Sequence, residues 1–127
     1  GPGEATLDGA FIPYEYVEDE NLRVKLYGRI ASLATEGEVR TLKKEFADRF
    51  GALPAPLNNH FEIALIRMAA AQTNVQVVRV HEERIILTRN GTLLMPNGRH
   101  PRLKSAKTPA RLREIRSTLR EIKASVN

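Results

Sequence analysis

Apolar residues recur at three- and four-residue intervals between residues 19 and 73, which is typical of helices with one buried face. The pattern predicts three helices, at about 19–34, 35–50 and 56–73. Asp19 is the expected N-cap of the first, and the segment TEGE at 35–38 matches a capping box that begins the second. Each predicted helix has an expected buried stripe. The stripe of the first helix is Leu22, Leu26, Ile30 and Leu33, and that of the second is Val39, Leu42, Phe46 and Phe50. The stripe of the third is Leu57, Phe61, Ala64, Leu65 and Met68.

From residue 75 onward, β-branched residues and turn pairs replace the helical spacing. They predict strands at 75–81, 84–89 and 92–95. Asn90-Gly91 is a strong signal for a two-residue hairpin turn, and Glu82-Glu83 joins the first two strands. The three segments are therefore expected to form a small antiparallel meander.

Two flanking segments complete the predicted fold. Residues 9–14, GAFIPY, are a candidate edge strand, because Pro13 is tolerated at a sheet edge but not in a central strand. A basic loop, RHPRLKSAK, leads to a last helix at about 109–124, for which Thr108 is the expected N-cap. The predicted fold class is α+β, with three N-terminal helices, a small antiparallel sheet and a C-terminal helix packed on it. The expected buried stripe of the last helix is Leu112, Ile115, Leu119 and Ile122.

Charge is divided unevenly along the 127 residues, whose net charge is +5. Residues 1–64 hold 7 Lys/Arg against 11 Asp/Glu, whereas residues 65–127 hold 13 against 4. Such an asymmetry indicates partners of more than one kind. The length suits one domain. Gly1-Pro2-Gly3 resembles the remnant that protease cleavage leaves on an expressed fusion protein, so residues 4–127 are interpreted as a single domain of a longer protein.

Several classes of chemistry have no support in the sequence. Cysteine is absent, which excludes a disulfide framework, an iron–sulfur cluster and a cysteine zinc site. No glycine-rich phosphate-binding motif occurs, and His60, His81 and His100 lie on different predicted elements without ligand spacing. No apolar run is long enough to span a membrane and no signal peptide is visible. The absence of cysteine fits a reducing cytoplasm, so the expected location is cytoplasmic. We therefore expect no catalytic residue, metal or cofactor in this domain.

Glu45 and Asp48 lie three residues apart near the end of the second predicted helix, where the helix dipole disfavours acids. On sequence alone a solvated surface is the first interpretation, because Lys43, Lys44 and Arg49 flank the pair. A contact with a cationic partner is the second. General acid–base catalysis has the least support, since it needs an enclosed cleft and shifted pKa values.

Residues 99–123 are strongly basic, with nine cations against two acids. On the predicted last helix the cations form a stripe beside the apolar one, so they are candidate phosphate contacts. The alternative is a solvated helix face. No aromatic residue lies between the cations, so stacking on bases is not expected. The candidate residues are Arg113, Arg116, Arg120 and Lys123.

Two motifs in the acidic half resemble one family. YVEDENLRVKLYGRIA, residues 16–31, is similar to Y/F-I-x-[DS]-x-x-x-R-[LI]-x-[LF]-Y-x-R-[LI]-A, and DRFGALPAP, residues 48–56, is similar to D-R-F-G-x-[LF]-P-x-P. In this order and at this separation they resemble the C-terminal domain of the bacterial transcription-repair coupling factor, over residues 8–90. The region after the second strand departs from that family, whose members often place a helix and a long connection where this sequence predicts a short hairpin.

The resemblance implies a non-catalytic, autoinhibitory domain of a larger DNA translocase. In that family the parent protein uses ATP and Mg²⁺ in its motor domains, displaces stalled RNA polymerase from DNA through other domains and recruits the repair protein UvrA. The C-terminal domain is implied to pack on the N-terminal repair-homology domain of the same polypeptide and to mask its UvrA-binding surface. Glu45 and Asp48, with Arg49 beside them, match the positions implied to contact that domain.

This contact requires that the two carboxylates are neither buried nor locked in ion pairs inside the domain. The alternative function, from the residues themselves, is a small nucleic-acid-binding module that uses the basic last helix.

Overall fold

The structure, a computed structural model, describes residues 9–126, with side chains described as far as residue 123. Three helices, three strands and a fourth helix follow one another, so the predicted α+β class is confirmed. The helices are α1 (Glu20–Ala31), α2 (Glu36–Phe50), α3 (Ala55–Gln72) and α4 (Thr108–Val126). The strands are β1 (Val77–His81), β2 (Arg84–Arg89) and β3 (Thr92–Leu94), and a short 3-10 turn, Pro96–Gly98, follows β3.

Local capping sets the starts of α1 and α2. The Asp19 carboxylate accepts a hydrogen bond of 3.1 Å from the N–H of Leu22. Thr35 and Glu38 exchange the two hydrogen bonds of a capping box, each 3.1 Å, so both predicted caps are confirmed. α1 ends at Ala31, earlier than predicted, and the N–H of Ala34 donates to the Glu38 carboxylate in the cap of α2.

The chain divides into two compact units, and the boundary between Leu65 and Ile66 lies inside α3. The first unit contains α1, α2 and the first part of α3. Its core surrounds Phe46 and Phe61, whose ring centroids lie 5.6 Å apart. The predicted stripe positions that are only half-buried are Leu22, Leu33, Phe50 and Leu65. The buried apolar residues of this unit are Ile12, Val17, Leu26, Ile30, Val39, Leu42, Phe46, Leu57, Phe61 and Ala64.

The second unit contains the end of α3, the sheet and α4. Its antiparallel strands lie in the order β1-β2-β3, and Ile85 and Leu87 of the central strand are buried. Asn90 and Gly91 both have positive φ, 51° and 79°, as a type I′ hairpin turn requires. All four residues of the predicted α4 stripe are buried, so that prediction is confirmed. The buried apolar residues of this unit are Ile66, Met68, Ala70, Val75, Ile85, Leu87, Leu103, Leu112, Ile115, Leu119 and Ile122.

The candidate edge strand at residues 9–14 does not form. The backbone donors of this segment have other partners, because the N–H of Phe11 donates to the carbonyl of Pro56 at 3.1 Å and the N–H of Ile12 donates to the Tyr27 hydroxyl at 2.7 Å. Ile12 is buried, so the apolar run anchors a loop instead of extending a sheet.

The basic loop after β3 contributes an extended segment that the sequence pattern did not reveal. The N–H of Ile85 donates to the carbonyl of Pro101 at 2.8 Å, and the N–H of Leu103 donates to the carbonyl of Glu83 at 2.6 Å. Arg84 and Arg102 face each other across this isolated antiparallel bridge. The loop therefore pairs with the start of β2, beyond the point where β3 ends.

Candidate functional site

The last two turns of α2 carry the predicted contact residues Glu45, Asp48 and Arg49. The helix ends at Phe50, and the C-cap residue Gly51 has a φ of 96°, in the left-handed region that favours glycine. All three side chains are at least partly exposed, so this end of the helix is accessible to a partner.

The Glu45 carboxylate forms ion pairs with two arginines of the same domain. Arg29 of α1 binds both carboxylate oxygens, with its Nη2 2.8 Å from Oε1 and its Nη1 bonded to Oε2. Arg49 Nη1 lies 3.6 Å from Oε2, so the ion pair between Glu45 and Arg49 also forms. The hydrogen bonds from Arg29 hold the pKa of the Glu45 carboxyl below its ordinary value, and those to Glu45 raise the pKa of the Arg29 guanidinium.

Asp48 has a different environment from Glu45. Its side chain is exposed, and within residues 9–126 its carboxylate forms no hydrogen bond or ion pair. Arg49, the next residue, places its guanidinium 4.7 Å from the centre of the Phe50 ring in a cation–π contact. The requirement that neither carboxylate is locked in ion pairs is therefore met by Asp48 and not by Glu45, so only Asp48 is free to meet a partner.

Polar residues of the first motif fix the position of this helix end. The Tyr16 hydroxyl lies 2.8 Å from the Gly51 carbonyl oxygen and 3.1 Å from that of Phe46, so it donates to the terminal carbonyls of α2. Burial raises the pKa of the Tyr16 hydroxyl above its ordinary value. Arg23 donates from Nη1 to two carbonyls of the loop before α1, each at 2.8 Å, and lies 5.5 Å from the Tyr14 ring centre. The motif therefore holds the loop against the helix end that carries Asp48.

Sequence reasoning missed Arg29 as the main partner of Glu45. The two residues are sixteen apart and lie on different helices, so no spacing rule within one helix links them. The sequence signal that could have pointed to Arg29 was its place in the first motif. Two other polar residues of that motif, Tyr16 and Arg23, also make specific contacts in the structure.

The four candidate phosphate contacts on α4 differ in their availability. Lys123 Nζ donates to Gln72 Oε1 at 3.2 Å, and Arg116 and Arg120 each take part in interactions within the domain. Arg113 is exposed, and its side chain forms no hydrogen bond or ion pair with any of the described residues. The stripe is therefore only partly open to an external ligand.

The three histidines lie on α3, on β1 and in the basic loop, as the sequence indicated. His60 packs edge-on against Tyr27, with ring centroids 5.2 Å apart, and His81 is exposed. Across residues 9–126 no group of three or more His, Cys, Asp or Glu side chains is arranged to hold a metal ion. Among the same residues, no helix combines the length and the apolar composition needed to cross a membrane.

Comparison with known proteins gives a consistent result. The family model described as the TRCF domain matches residues 9–93. The transcription-repair-coupling factor of Rickettsia conorii is 44% identical over 66 residues, covering 52% of this chain and 6% of the relative. The factor of Escherichia coli K12 is 35% identical over 74 residues, with coverage of 58% and 6%. The factor of Mycobacterium bovis is 27% identical over 110 residues, with coverage of 87% and 9%. The chain therefore spans less than a tenth of the length of these relatives.

A solved structure supports the same fold. It is described as the crystal structure of the C-terminal domain of transcription-repair coupling factor, and it is similar with a TM-score of 0.69 at 20% identity. The similarity covers 100% of this chain and 97% of that chain. The likeness in fold therefore extends through the sheet and α4, beyond the residues that the family model matches.

Proposed function

This chain belongs to the TRCF domain family, that of the C-terminal domain of transcription-repair coupling factors, and from that premise we propose that it is a non-catalytic autoinhibitory domain. It packs on the N-terminal repair-homology domain of its parent protein and masks the surface that binds UvrA. The parent is an ATP-driven, cytoplasmic DNA translocase that displaces stalled RNA polymerase. These activities of the whole protein are part of the proposal, because the chain covers only 6–9% of its relatives.

The observation that carries the proposal is the free carboxylate of Asp48 at the end of α2. Partial negative charge at a helix C-terminus disfavours an acid there. A cationic partner would more than offset this unfavourable interaction with the helix end, since a hydrogen bond between charged groups contributes roughly 1.5–3 kcal/mol. A residue that is locally unfavourable and has no partner in its own domain is well suited to a contact with another domain.

Glu45 takes a supporting role in this contact. Because Arg29 already binds both of its oxygens, a cation of the partner has to compete with an existing ion pair. Glu45 instead keeps the guanidinium groups of Arg29 and Arg49 at the end of α2. The contact therefore depends first on Asp48 and second on Glu45.

Such a contact suits a releasable clamp. Two domains of one polypeptide meet at a high effective concentration, so one or two charge pairs are enough to favour the closed state. Because the contact is small, a conformational change in the motor can shift the equilibrium to the open state. Masking and release of the UvrA-binding surface then follow from a modest free-energy difference.

The test uses the full-length parent protein. Asp48→Ala is expected to increase UvrA binding and basal ATP hydrolysis, because the closed state loses its main charge pair. Glu45→Ala is expected to act in the same direction but less strongly. Glu15→Ala is the matched control, since Glu15 is also an exposed acid of the first unit and has no polar partner among the described residues. If the Glu45→Ala/Asp48→Ala double variant keeps both activities at the wild-type level, the proposal is wrong.

A further inference from the structure

A row of basic side chains crosses the solvent-facing side of the sheet. His81 of β1 lies opposite Arg84 of β2, and Arg84 lies opposite Arg102 of the basic loop. Residues that are directly opposite in antiparallel pairs project from the same face. Ile85 and Leu103, the neighbours of the two arginines, are buried on the other face, so the row points away from the core.

Two further cations extend this row. Arg79 is two residues before His81 in β1, and Lys104 is two residues after Arg102, so the alternation of side chains places them on the same side. Arg79, Arg84, Arg102 and Lys104 are all exposed. Within the part of the chain that the structure describes, none of these four side chains forms a hydrogen bond or an ion pair. We call these four residues the basic sheet face.

The arrangement has no evident structural purpose. Like charges directly opposite each other in a sheet are destabilising, and Arg84 and Arg102 form such a pair. The backbone hydrogen bonds of this bridge come from Ile85, Leu103 and their partners, and they do not require basic side chains at 84 or 102. The acids nearby are Glu82 and Glu83 of the β1–β2 turn and Glu114 of α4. Glu82 lies 3.8 Å from His81, and Glu114 accepts from the backbone N–H of Lys104. Among the described residues, none of these carboxylates pairs with the side chain of any of the four cations.

We propose that the basic sheet face binds the phosphate backbone of nucleic acid. A polyanion suits the row because exposed cations lie side by side on neighbouring strands, about 4.8 Å apart, and the nucleic-acid backbone carries one negative charge on every phosphate. Three of the four cations are arginines, whose planar guanidinium matches phosphate geometry. The row offers no aromatic ring on which a base could stack, so the proposed contact is with the phosphate backbone.

This inference is independent of the proposed clamp, which lies in the first unit. It also differs from the expectation for the α4 stripe, where three of the four cations have partners within the domain. The two proposals can therefore fail separately.

The test measures the binding of the 127-residue chain to a fluorescein-labelled, mixed-sequence DNA duplex by anisotropy, over a series of salt concentrations. The Arg84→Gln/Arg102→Gln variant is expected to bind on the order of tenfold more weakly at low salt. The slope of log K against log salt should become shallower by about 1.8, or about 0.9 for each phosphate contact that is lost. Circular dichroism verifies that the variant is folded.

The matched control is Lys25→Gln/Arg40→Gln, which removes two exposed positive charges from α1 and α2. It is expected to keep wild-type affinity and slope. An equal loss in both variants indicates a general effect of net charge and overturns the assignment of this face.

A third variant tests the same face by strengthening it. Glu83→Gln removes an acid next to Arg84 and is expected to tighten duplex binding.

Poly-glutamate serves as the competing polyanion. If the chain binds poly-glutamate through Arg84 and Arg102 but does not bind the duplex, the partner is an acidic protein segment and the proposal is wrong.

Discussion

The hydroxyl of Tyr16 lies 2.8 Å from the carbonyl oxygen of Gly51, thirty-five residues further along the chain. This contact joins the loop before α1 to the end of α2. It also explains why a tyrosine in the first motif and a glycine in the second belong together, because the two motifs meet at this point. The helix end that carries Asp48 is thus positioned by a residue far from it in sequence.

Tyr16→Phe is expected to lower the free energy of unfolding by roughly 0.5–1.5 kcal/mol, because the ring remains but the hydrogen bond to the helix end is lost. Chemical denaturation measures the difference. Tyr14→Phe is the control, since the Tyr14 ring is 60% exposed and its hydroxyl has no hydrogen-bond partner among the described residues. Equal effects of the two substitutions contradict the role of the Tyr16 hydroxyl.

The ion pair between Arg29 and Glu45 predicts a dependence of stability on pH. The pKa of the Glu45 carboxyl is lowered in the folded state, so its contribution is fully present above the ordinary carboxyl pKa of 4.5. That contribution is lost as pH falls through the lowered pKa. The difference in unfolding free energy between wild type and Glu45→Gln should therefore shrink below about pH 4.5. In an Arg29→Gln background, the effect of Glu45→Gln on the unfolding free energy should depend much less on pH. If this pH dependence is the same with and without Arg29, the ion pair is not its cause.

The capping box of α2 is expected to contribute measurably to stability. Thr35→Ala removes the acceptor for the N–H of Glu38 and should lower the unfolding free energy by about 1 kcal/mol. Thr41→Ala, at an exposed position inside α2, changes the same residue type without removing a cap and should be neutral or stabilising. Thermal unfolding of the two variants gives the comparison, and a Thr35→Ala midpoint at the wild-type value contradicts the prediction.

Glu114 of α4 is expected to hold the basic loop in place. Its carboxylate accepts from the N–H groups of Lys104 at 2.7 Å and Ser105 at 2.9 Å, and hydrogen bonds from Ser105 and Lys104 lower the pKa of Glu114. In Glu114→Ala these two amides should exchange with deuterium faster than in wild type. Glu121→Ala, at an exposed position of the same helix, should leave them protected. Unchanged exchange in Glu114→Ala means that the loop is held by other contacts.

Features that depend on neighbours in sequence were predictable. Asp19, the Thr35–Glu38 box and the Asn90-Gly91 turn each act within a few residues, and the structure has all of them. The buried stripe of α4 followed from helical spacing in the same way.

Features that depend on distant segments were not predictable from local patterns. An apolar run such as 9–14 suits a strand or an anchored loop equally well, and the partners of Phe11 and Ile12 decide between them. The bridge between Arg84 and Arg102 joins a strand to a short extended segment that has no regular alternation of its own. That Glu45 is paired with Arg29 while Asp48 has no partner among the described residues likewise depends on how α1 and α2 pack.

The position of the unit boundary inside α3 limits how the acidic and basic halves can be studied apart. A truncation between Leu65 and Ile66 cuts α3 in two. The part before the cut supplies Phe61 to the buried residues of the first unit, and the part after it supplies Met68 to those of the second. Each fragment then ends in an open helix terminus and lacks half of the helix. Surface substitutions on the intact chain are therefore the better way to separate the contributions of Asp48 and Arg84.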